Sequence, residues 1–177
     1  MLKSRLAAAF LAAAIISQSA TLLAKTEGSL PVPTEGVLLE VTGKLIQSNV
    51  KDAKGPVAIL DRSMLEGLGI TKIETSTDWT DGIQSFEGPL VSDLLERLGA
   101  SGTTILATAA NDYTVEIPVS DFLRYPVILA MEMNGKRLTL RDKGPIWIVY
   151  PRDQYPELDD PLINGRWIWQ LKRLEIR

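Results

Sequence analysis

The sequence predicts an α+β fold, with a mixed β-sheet or partial barrel and a few short helices. Many short runs of apolar and β-branched residues alternate with turn residues, and only a few segments carry helix caps. The 177 residues are 45% hydrophobic and 23% charged, which is an ordinary globular composition with enough apolar surface for a core. No internal repeat or shift in composition divides residues 37–177, so we expect them to form one domain.

The first 24 residues have the features of a secretory signal peptide. Lys3 and Arg5 precede an apolar run over 6–16, and small and polar residues follow at 17–20. The apolar run is short for a membrane span of roughly 20 residues, which disfavours the alternative of an uncleaved anchor. We therefore expect cleavage between residues 19 and 24, a loose lead-in with proline and glycine over 25–36, and a periplasmic mature protein.

The elements of the domain follow from local patterns of apolar, capping and turn residues. Strands are predicted over residues 38–41, 57–60, 70–77, 103–109, 113–117, 127–133, 136–140, 146–150 and 167–176. Short helices are predicted after Asp61 or Ser63 (residues 64–68), after Ser92 (residues 93–98, stopped by Gly99) and from Ser120 to before Pro126. Turns are predicted at 79–82, at Asn111-Asp112 and at Asn134-Gly135, and a proline- and acid-rich loop is predicted over 151–164.

The chain contains no cysteine and no histidine, and these absences exclude several classes of chemistry. Without these residues a disulfide, a thiol nucleophile, an imidazole base and a thiolate or imidazole metal ligand are all ruled out. The net charge of −3 and the lack of a basic block also remove the electrostatic signature of a nucleic-acid binder. We therefore expect no catalytic residues, no metal, no covalent cofactor and no nucleic-acid partner.

Several short motifs follow one another along residues 38–176. They are Phe86-Glu87-Gly88-Pro89-Leu90 with Asp93-Leu94-Leu95, Asn111-Asp112-Tyr113 with Ile117-Pro118, Leu129 to Gly135, Lys143-Gly144-Pro145 leading to Tyr150-Pro151, and a final strand that contains tryptophan. In this order and spacing they resemble the molybdopterin-binding domain of the sulfite oxidase-like family. The resemblance implies the sulfite oxidase-like molybdopterin-binding fold, which is also α+β.

The sequence departs from that family at the metal ligand. The resemblance implies a molybdenum-ligating cysteine about a dozen residues before Gly88, where this chain has Thr75-Ser76-Thr77. A hydroxyl cannot supply the soft sulfur donor of a thiolate. Residues 151–161, where the family has basic contacts to the cofactor phosphate, are acidic in this chain.

The chain resembles more closely a smaller branch of exported, cysteine-free proteins with the same fold. This resemblance depends on the signal peptide, the missing cysteine, the Lys-Gly-Pro-x-Trp-x-x-Tyr-Pro pattern over 143–151 and the Trp-x-Trp-Gln pattern over 167–170. It implies a non-catalytic sensory subunit that binds a simple pterin and regulates the periplasmic domain of a membrane signalling protein of diguanylate cyclase or phosphodiesterase type. The loop over 151–164 is then expected to meet a basic surface of this partner. Two alternatives stay open: a molybdopterin-dependent oxidoreductase, and a structural interaction domain without a ligand.

A pterin site needs aromatic faces for the flat ring and polar groups for its hydrogen-bonding edges. We predict such a site at strand ends, formed by Trp79, Asp112, Tyr113, Tyr150, Arg152, Tyr155 and Trp167. Asp112 is expected to accept the paired donors of the pterin, and Arg152 to bind its acceptor edge. Packing is the alternative role for the aromatic residues. We expect Trp147 in the core, and either Trp167 or Trp169 in the pocket.

Overall fold

The computed structural model describes residues 30–53 and 55–177 of the chain. The predicted signal peptide and residues 25–29 of the predicted lead-in lie outside these ranges. The strands within them are β1 (Leu39–Gly43), β2 (Val50–Asp52), β3 (Gly55–Leu60), β4 (Thr71–Ser76), β5 (Ile83–Gly88), β6 (Thr104–Ala109), β7 (Thr114–Pro118), β8 (Ile128–Ala130), β9 (Glu132–Met133), β10 (Lys136–Arg137), β11 (Trp147–Val149) and β12 (Leu171–Ile176). The α-helices are α1 (Arg62–Glu66), α2 (Val91–Leu98), α3 (Val119–Arg124) and α4 (Pro161–Asn164).

The strands of the described ranges form three sheets. The largest has the order β2-β3-β1-β12-β6-β7 and is mixed, because β1 runs parallel to β12 while the other pairs are antiparallel. The strands β10-β9-β5-β4 form a second sheet, which is antiparallel, and β11-β8 form a third. This arrangement confirms the predicted α+β fold with mixed sheets and few short helices. Within the same ranges, no helix has the length and apolar character needed to cross a bilayer.

One buried apolar cluster joins the sheets and helix α2. Val41 of β1, Phe86 of β5 and Ile148 of β11 all belong to it and are fully buried. Helix α2 contributes the face with i, i+3, i+4 and i+7 spacing, which consists of Val91, Leu94, Leu95 and Leu98. The helix therefore packs against the sheets through one stripe and leaves its charged residues outside.

Two strands, β2 and β5, have no counterpart in the sequence prediction. β2 is exposed at every position, and β5 buries only Phe86 and Gly88, so neither shows a continuous apolar alternation. Both strands form through pairing, β2 with β3 and β5 with β4. The predicted strand over 127–133 is divided between β8 and β9, which lie in different sheets.

The helix ends agree with the prediction in part, since the cap at Asp61 and the stop at Gly99 are confirmed, whereas α1 ends at Glu66 rather than at residue 68. Gly99 ends α2 in the left-handed conformation, with φ 61°, as expected for a C-terminal glycine. The N-cap of α2 is Leu90, which makes no side-chain hydrogen bond, so the predicted Ser92 cap is wrong. Asp61 caps α1, and hydrogen bonds led by that from the Met64 N–H lower the pKa of Asp61 to about 2.

Asp61 also anchors part of the predicted lead-in. Its Oδ2 accepts hydrogen bonds from the N–H groups of Thr34, at 2.7 Å, and Glu35, at 3.2 Å. Leu30 is only 3% exposed, and its N–H donates to the loop before β2 at 3.1 Å. Residues 30–36 are therefore tied to the domain, which differs from the loose segment that their proline and glycine content suggests.

The C-terminal third departs from the prediction in two places. The predicted loop over 151–164 contains short 3-10 turns at Arg152–Gln154 and Pro156–Leu158 as well as α4. The last strand begins at Leu171 rather than at residue 167, because Gln170 has a left-handed conformation with φ 50°. The irregular segment 167–170 that results carries two of the tryptophans.

Candidate ligand-binding site

The four tryptophans of the chain form one cluster. The ring centroid of Trp79 lies 5.2 Å from that of Trp169 and 6.1 Å from those of Trp147 and Trp167. The rings meet edge to face or tilted, which is the favourable geometry for aromatic pairs. Trp147 is fully buried and packs edge-on against Phe86, so it lies in the core as predicted. The other three tryptophans line a cavity.

This cavity has a volume of about 270 Å³. Its lining residues are Trp79, Ala109, Asn111, Tyr113, Asn164, Gly165, Trp167, Ile168 and Trp169, and none of them is charged. They come from the turn after β4, the end of β6 with the turn that follows it, and the end of α4 with the segment that follows it. Pockets for drug-sized ligands measure roughly 300–1,000 Å³. The cavity therefore suits one small ring system better than a dinucleotide.

Gln170 gives the segment 167–170 its shape. Its N–H donates to the carbonyl of Lys143 at 3.0 Å, and its carbonyl accepts from the Ala110 N–H at 2.8 Å. Its side-chain Nε2 donates to the carbonyl of Leu140 at 2.8 Å. These hydrogen bonds hold the left-handed turn at Gln170, so Trp167 and Trp169 stand before the strand, in the cavity wall, rather than in the ladder of β12.

Two residues of the cavity wall carry buried polar atoms without a hydrogen-bond partner. Within the described ranges, these atoms are the indole Nε1 of Trp167 and the amide Oδ1 of Asn164. The amide Nδ2 of Asn164 donates to Asp78 Oδ2 at 2.7 Å, which fixes the orientation of the amide. A buried polar group without a partner costs about 1–3 kcal/mol. A ligand that offers one acceptor and one donor could satisfy both atoms.

A polar cluster lies beside the cavity, and we call Ser76, Asp78, Arg152 and Asp153 the Ser76–Arg152 clamp. The Arg152 guanidinium donates to Asp78 Oδ1 at 2.6 Å and to Ser76 Oγ at 3.0 Å. The N–H and the hydroxyl of Ser76 both donate to the Asp153 carboxylate at 2.7 Å. The clamp joins the end of β4 to the 3-10 turn at Arg152–Gln154.

The residues at the position of the family's metal-ligating cysteine do not fit molybdenum. Ser76 donates its hydroxyl to Asp153, and the hydroxyl of the fully buried Thr75 donates to the Ser76 carbonyl at 3.3 Å. The hydroxyl oxygens are hard metal ligands, unlike the soft sulfur of a thiolate. They already make hydrogen bonds, and they would have to lose a proton to bind a metal. The described ranges also contain no group of three or more acidic, histidine or cysteine side chains placed to hold a metal ion.

Three of the predicted site residues line the cavity, namely Trp79, Tyr113 and Trp167. Two others support it from behind. The Tyr150 ring stacks on Trp167, with centroids 5.9 Å apart and planes at 26°, and the Arg152 guanidinium lies 6.0 Å from the Trp167 ring centroid. The Tyr150 hydroxyl donates to Asp121 Oδ2 at 3.1 Å, and burial raises the pKa of Tyr150 well above its usual value.

The structure does not place the remaining two predicted residues in the cavity wall. Asp112 has a left-handed backbone, with φ 66°, and its side chain is 84% exposed and paired with Lys172 at 2.5 Å. This hydrogen bond from Lys172 lowers the pKa of Asp112. Tyr155 packs edge-on against Tyr125, with ring centroids 5.1 Å apart. The role of pterin acceptor that we assigned to Asp112 therefore does not fit this geometry.

The acidic side chains of segment 151–164 are engaged within the chain. Their contacts are Asp153 with Ser76 at 2.7 Å, Glu157 with the Tyr125 hydroxyl at 3.1 Å, Asp159 with Arg152 at 3.5 Å, and Asp160 with the Leu162 N–H at 2.7 Å. The last contact caps α4. The side chains of Glu157 and Asp159 remain 50% and 71% exposed, so these internal contacts leave the expected basic partner surface a prediction.

Sequence reasoning missed Asn111 and Asn164 as residues of the cavity wall. Asn111 was noted only as a turn former. Asn164 lies in a stretch without apolar periodicity, which is interpreted as a loop, and only the folded chain brings its amide beside Trp167. Trp169 was weighed against Trp167 for one place in the pocket, and both residues line it.

The chain is thus an α+β domain with an aromatic, uncharged cavity and a polar clamp beside it. Residues 64–154, which are 91 of the 177 residues, match the family described as the oxidoreductase molybdopterin binding domain, and the chain belongs to this family. The match includes Trp79, Tyr113 and the whole clamp, whereas Asn164, Trp167 and Trp169 lie beyond it. A search of the curated proteins returned no match.

Proposed function

We propose that this protein is an exported, non-catalytic subunit that binds a simple pterin in the tryptophan-lined cavity. In this proposal it regulates the periplasmic domain of a membrane protein that makes or degrades cyclic diguanylate. The observation that carries the ligand assignment is the pairing of three tryptophans with two unpartnered polar atoms in one uncharged cavity. The family membership supports a pterin as the bound ring.

The chemistry of a pterin complements these groups. Its flat ring can pack against Trp79, Trp167 and Trp169, and such aromatic contacts contribute about 0.5–1.5 kcal/mol each beyond burial. The pterin amino group can donate to Asn164 Oδ1, and a ring nitrogen or carbonyl can accept from Trp167 Nε1. Both protein atoms are covered by neighbouring groups, so the ring has to displace these groups slightly.

The same cavity disfavours the cofactor of the enzymatic relatives. Its wall has no cation for a phosphate group, and the neighbouring cation, Arg152, is already paired with Asp78. The hydroxyls of Thr75 and Ser76 are poor molybdenum ligands. The wall also has no side chain that exchanges protons near neutral pH. These features support a binding role rather than redox catalysis.

A bound ligand can produce a signal only through a difference in partner affinity between two states of the protein. Asn164 and Trp167 bracket the turn after α4, and Arg166 between them pairs with Asp121 of α3 at 2.6 Å. A ligand that orders Asn164 and Trp167 would therefore also restrain α3 through this ion pair. Coupling between two sites usually changes affinity 5- to 150-fold, about 1–3 kcal/mol.

Calorimetric titration of the purified mature protein with pterin and with lumazine tests the ligand assignment. Lumazine has the same bicyclic ring but a carbonyl in place of the amino group, so it loses one donor toward Asn164. We expect one pterin per chain and at least tenfold weaker binding of lumazine. Equal affinity for both, or no binding of either, would reject the assignment. Elemental analysis of the same preparation for molybdenum separates the oxidoreductase alternative, which requires about one metal per chain.

A further inference from the structure

The six-stranded sheet has one edge, β7, whose outward side is not covered by other parts of the described chain. Sheet edges are commonly shortened, charged or covered, because their free backbone groups can pair with another strand. At the opposite edge β2 has three residues, and in the second sheet β10 has only Lys136 and Arg137. The edge strand β4 is covered near its end by Asp153, which binds the Ser76 N–H. β7 has five residues, and its only charged residue is Glu116.

The hydrogen-bond pattern shows which backbone groups of β7 face outward. The Ala109 N–H donates to the Tyr113 carbonyl at 2.9 Å, and the register pairs Ala107 with Val115 and Ile105 with Ile117. Because hydrogen-bonded and non-hydrogen-bonded pairs alternate in an antiparallel ladder, Val115 and Ile117 point their backbone groups toward β6.

The backbone groups of Thr114 and Glu116 therefore point away from the sheet. Pro118, which has no N–H, occupies the next outward position, as is usual for proline at an edge. Among the described residues, no backbone group pairs with this side of β7.

We propose that β7 is a docking edge for an extended segment of another protein, which adds to the sheet as a further strand. Main-chain pairing with Thr114 and Glu116 would supply affinity, and a lysine or arginine opposite the exposed Glu116 would supply selectivity. A second copy of this chain is a poorer occupant. Pairing of two β7 strands centred on Glu116 puts like charges opposite each other, and the chain is already negative at −3.

The position of β7 connects this edge to the cavity. Tyr113, the residue before the strand, lines the cavity and is 54% exposed. A ligand that packs against Tyr113 therefore acts one residue away from the first outward-facing backbone group. The docking edge itself does not depend on the proposed function, whereas a ligand effect on docking rests on it.

The test places a photo-crosslinking amino acid at Thr114 of the full chain, in the cells that naturally make the protein. Crosslinked peptides are then identified by mass spectrometry. We expect a peptide from another protein, in a segment with a lysine or arginine. Glu116→Pro removes an outward N–H without touching the ladder to β6, and should reduce the crosslink at least tenfold. Glu116→Thr is the matched control, since it keeps the N–H and should retain part of the crosslink.

Each other outcome overturns the proposal. A crosslink that persists in Glu116→Pro shows that the partner does not pair with the strand, and a crosslink to a second copy of the chain shows self-association instead. The absence of any crosslink also rejects the edge. Circular dichroism confirms that the proline variant is folded. Pterin titration of the same variant separates the two proposals, because the edge can fail while the cavity still binds its ligand.

Discussion

The tryptophan-lined cavity and the Ser76–Arg152 clamp lie side by side, but the cavity wall is aromatic and uncharged whereas the clamp is built from charged and hydroxyl groups. Arg152 approaches the Trp167 ring, and Asp78 holds the Asn164 amide, so the two regions share a boundary. The cavity keeps an open volume of about 270 Å³ with unpartnered polar atoms, whereas the clamp satisfies its charged groups internally. The cavity thus has space for a flat ring, while Ser76, near where the resemblance implies a metal-ligating cysteine, is held by hydrogen bonds.

The difference is between a wall that leaves two polar atoms unpartnered and a network that pairs its own charged groups. The clamp is a short network of hydrogen bonds and an ion pair that joins the end of β4 to the 3-10 turn at Arg152–Gln154. The two regions should therefore respond differently to substitution: the clamp through stability, and the cavity through ligand affinity.

The largest effect is expected at the buried base of the tryptophan cluster. Trp147→Ala removes a fully buried ring that packs on Phe86, and should lower the free energy of unfolding by about 3–5 kcal/mol. Urea denaturation followed by circular dichroism measures this change. Trp147→Phe is the control and should recover a large part of the loss. A cost below about 1 kcal/mol for the alanine variant would contradict the assignment of Trp147 to the core.

A smaller loss of stability is expected at the clamp. Arg152→Ala removes the guanidinium that donates to Asp78 and Ser76, and should lower the free energy of unfolding by about 1–3 kcal/mol. Arg152→Lys keeps the charge but loses the planar guanidinium that reaches both Asp78 and Ser76. Its free energy of unfolding should therefore fall by an intermediate amount. Pterin affinity should change less than fivefold in both variants if they remain folded. A larger drop in affinity would place Arg152 in contact with the ligand, as the sequence suggested.

Substitutions in the cavity wall should weaken ligand binding more than they lower stability. Trp79→Ala removes one face of the pocket, and should weaken pterin binding about tenfold, or about 1.4 kcal/mol. Its effect on unfolding should be smaller than that of Trp147→Ala, because Trp79 is only partly buried. Calorimetric titration and denaturation of one preparation give both values. If the order of the two stability effects were reversed, the division into core and wall would be wrong.

The smallest effect is expected at Asp112. Asp112→Ala removes an exposed side chain that faces Lys172 and does not line the cavity. Pterin affinity should therefore stay within twofold of the wild type, as measured by the same titration. A loss of tenfold or more would restore the sequence-based assignment of Asp112 as the acceptor of the pterin donors, and would require Asp112 to turn from Lys172 toward the cavity.

The fold could be predicted further from the sequence than the site. Strands with β-branched or apolar runs, such as 70–77 and 103–109, and the stop at Gly99 depend on local chemistry that the sequence displays. β2 and β5 depend on pairing with neighbours and show no such local signal. The aromatic residues of the cavity were predictable by type. The choice of Asn164 over Asp112 was not, because it depends on how α4 and the left-handed turns at Asp112 and Gln170 orient the side chains.

The most direct test of the central claim observes the indole N–H of Trp167. The protein is labelled with ¹⁵N, and the four indole signals are followed by NMR during titration with pterin, with Trp167→Phe used to assign the signal. We predict that the Trp167 signal moves downfield as its Nε1–H gains an acceptor, in step with calorimetric saturation and without added molybdate. Saturable binding that leaves the Trp167 signal unmoved, or binding that requires molybdate, would contradict a metal-free pterin site in this cavity.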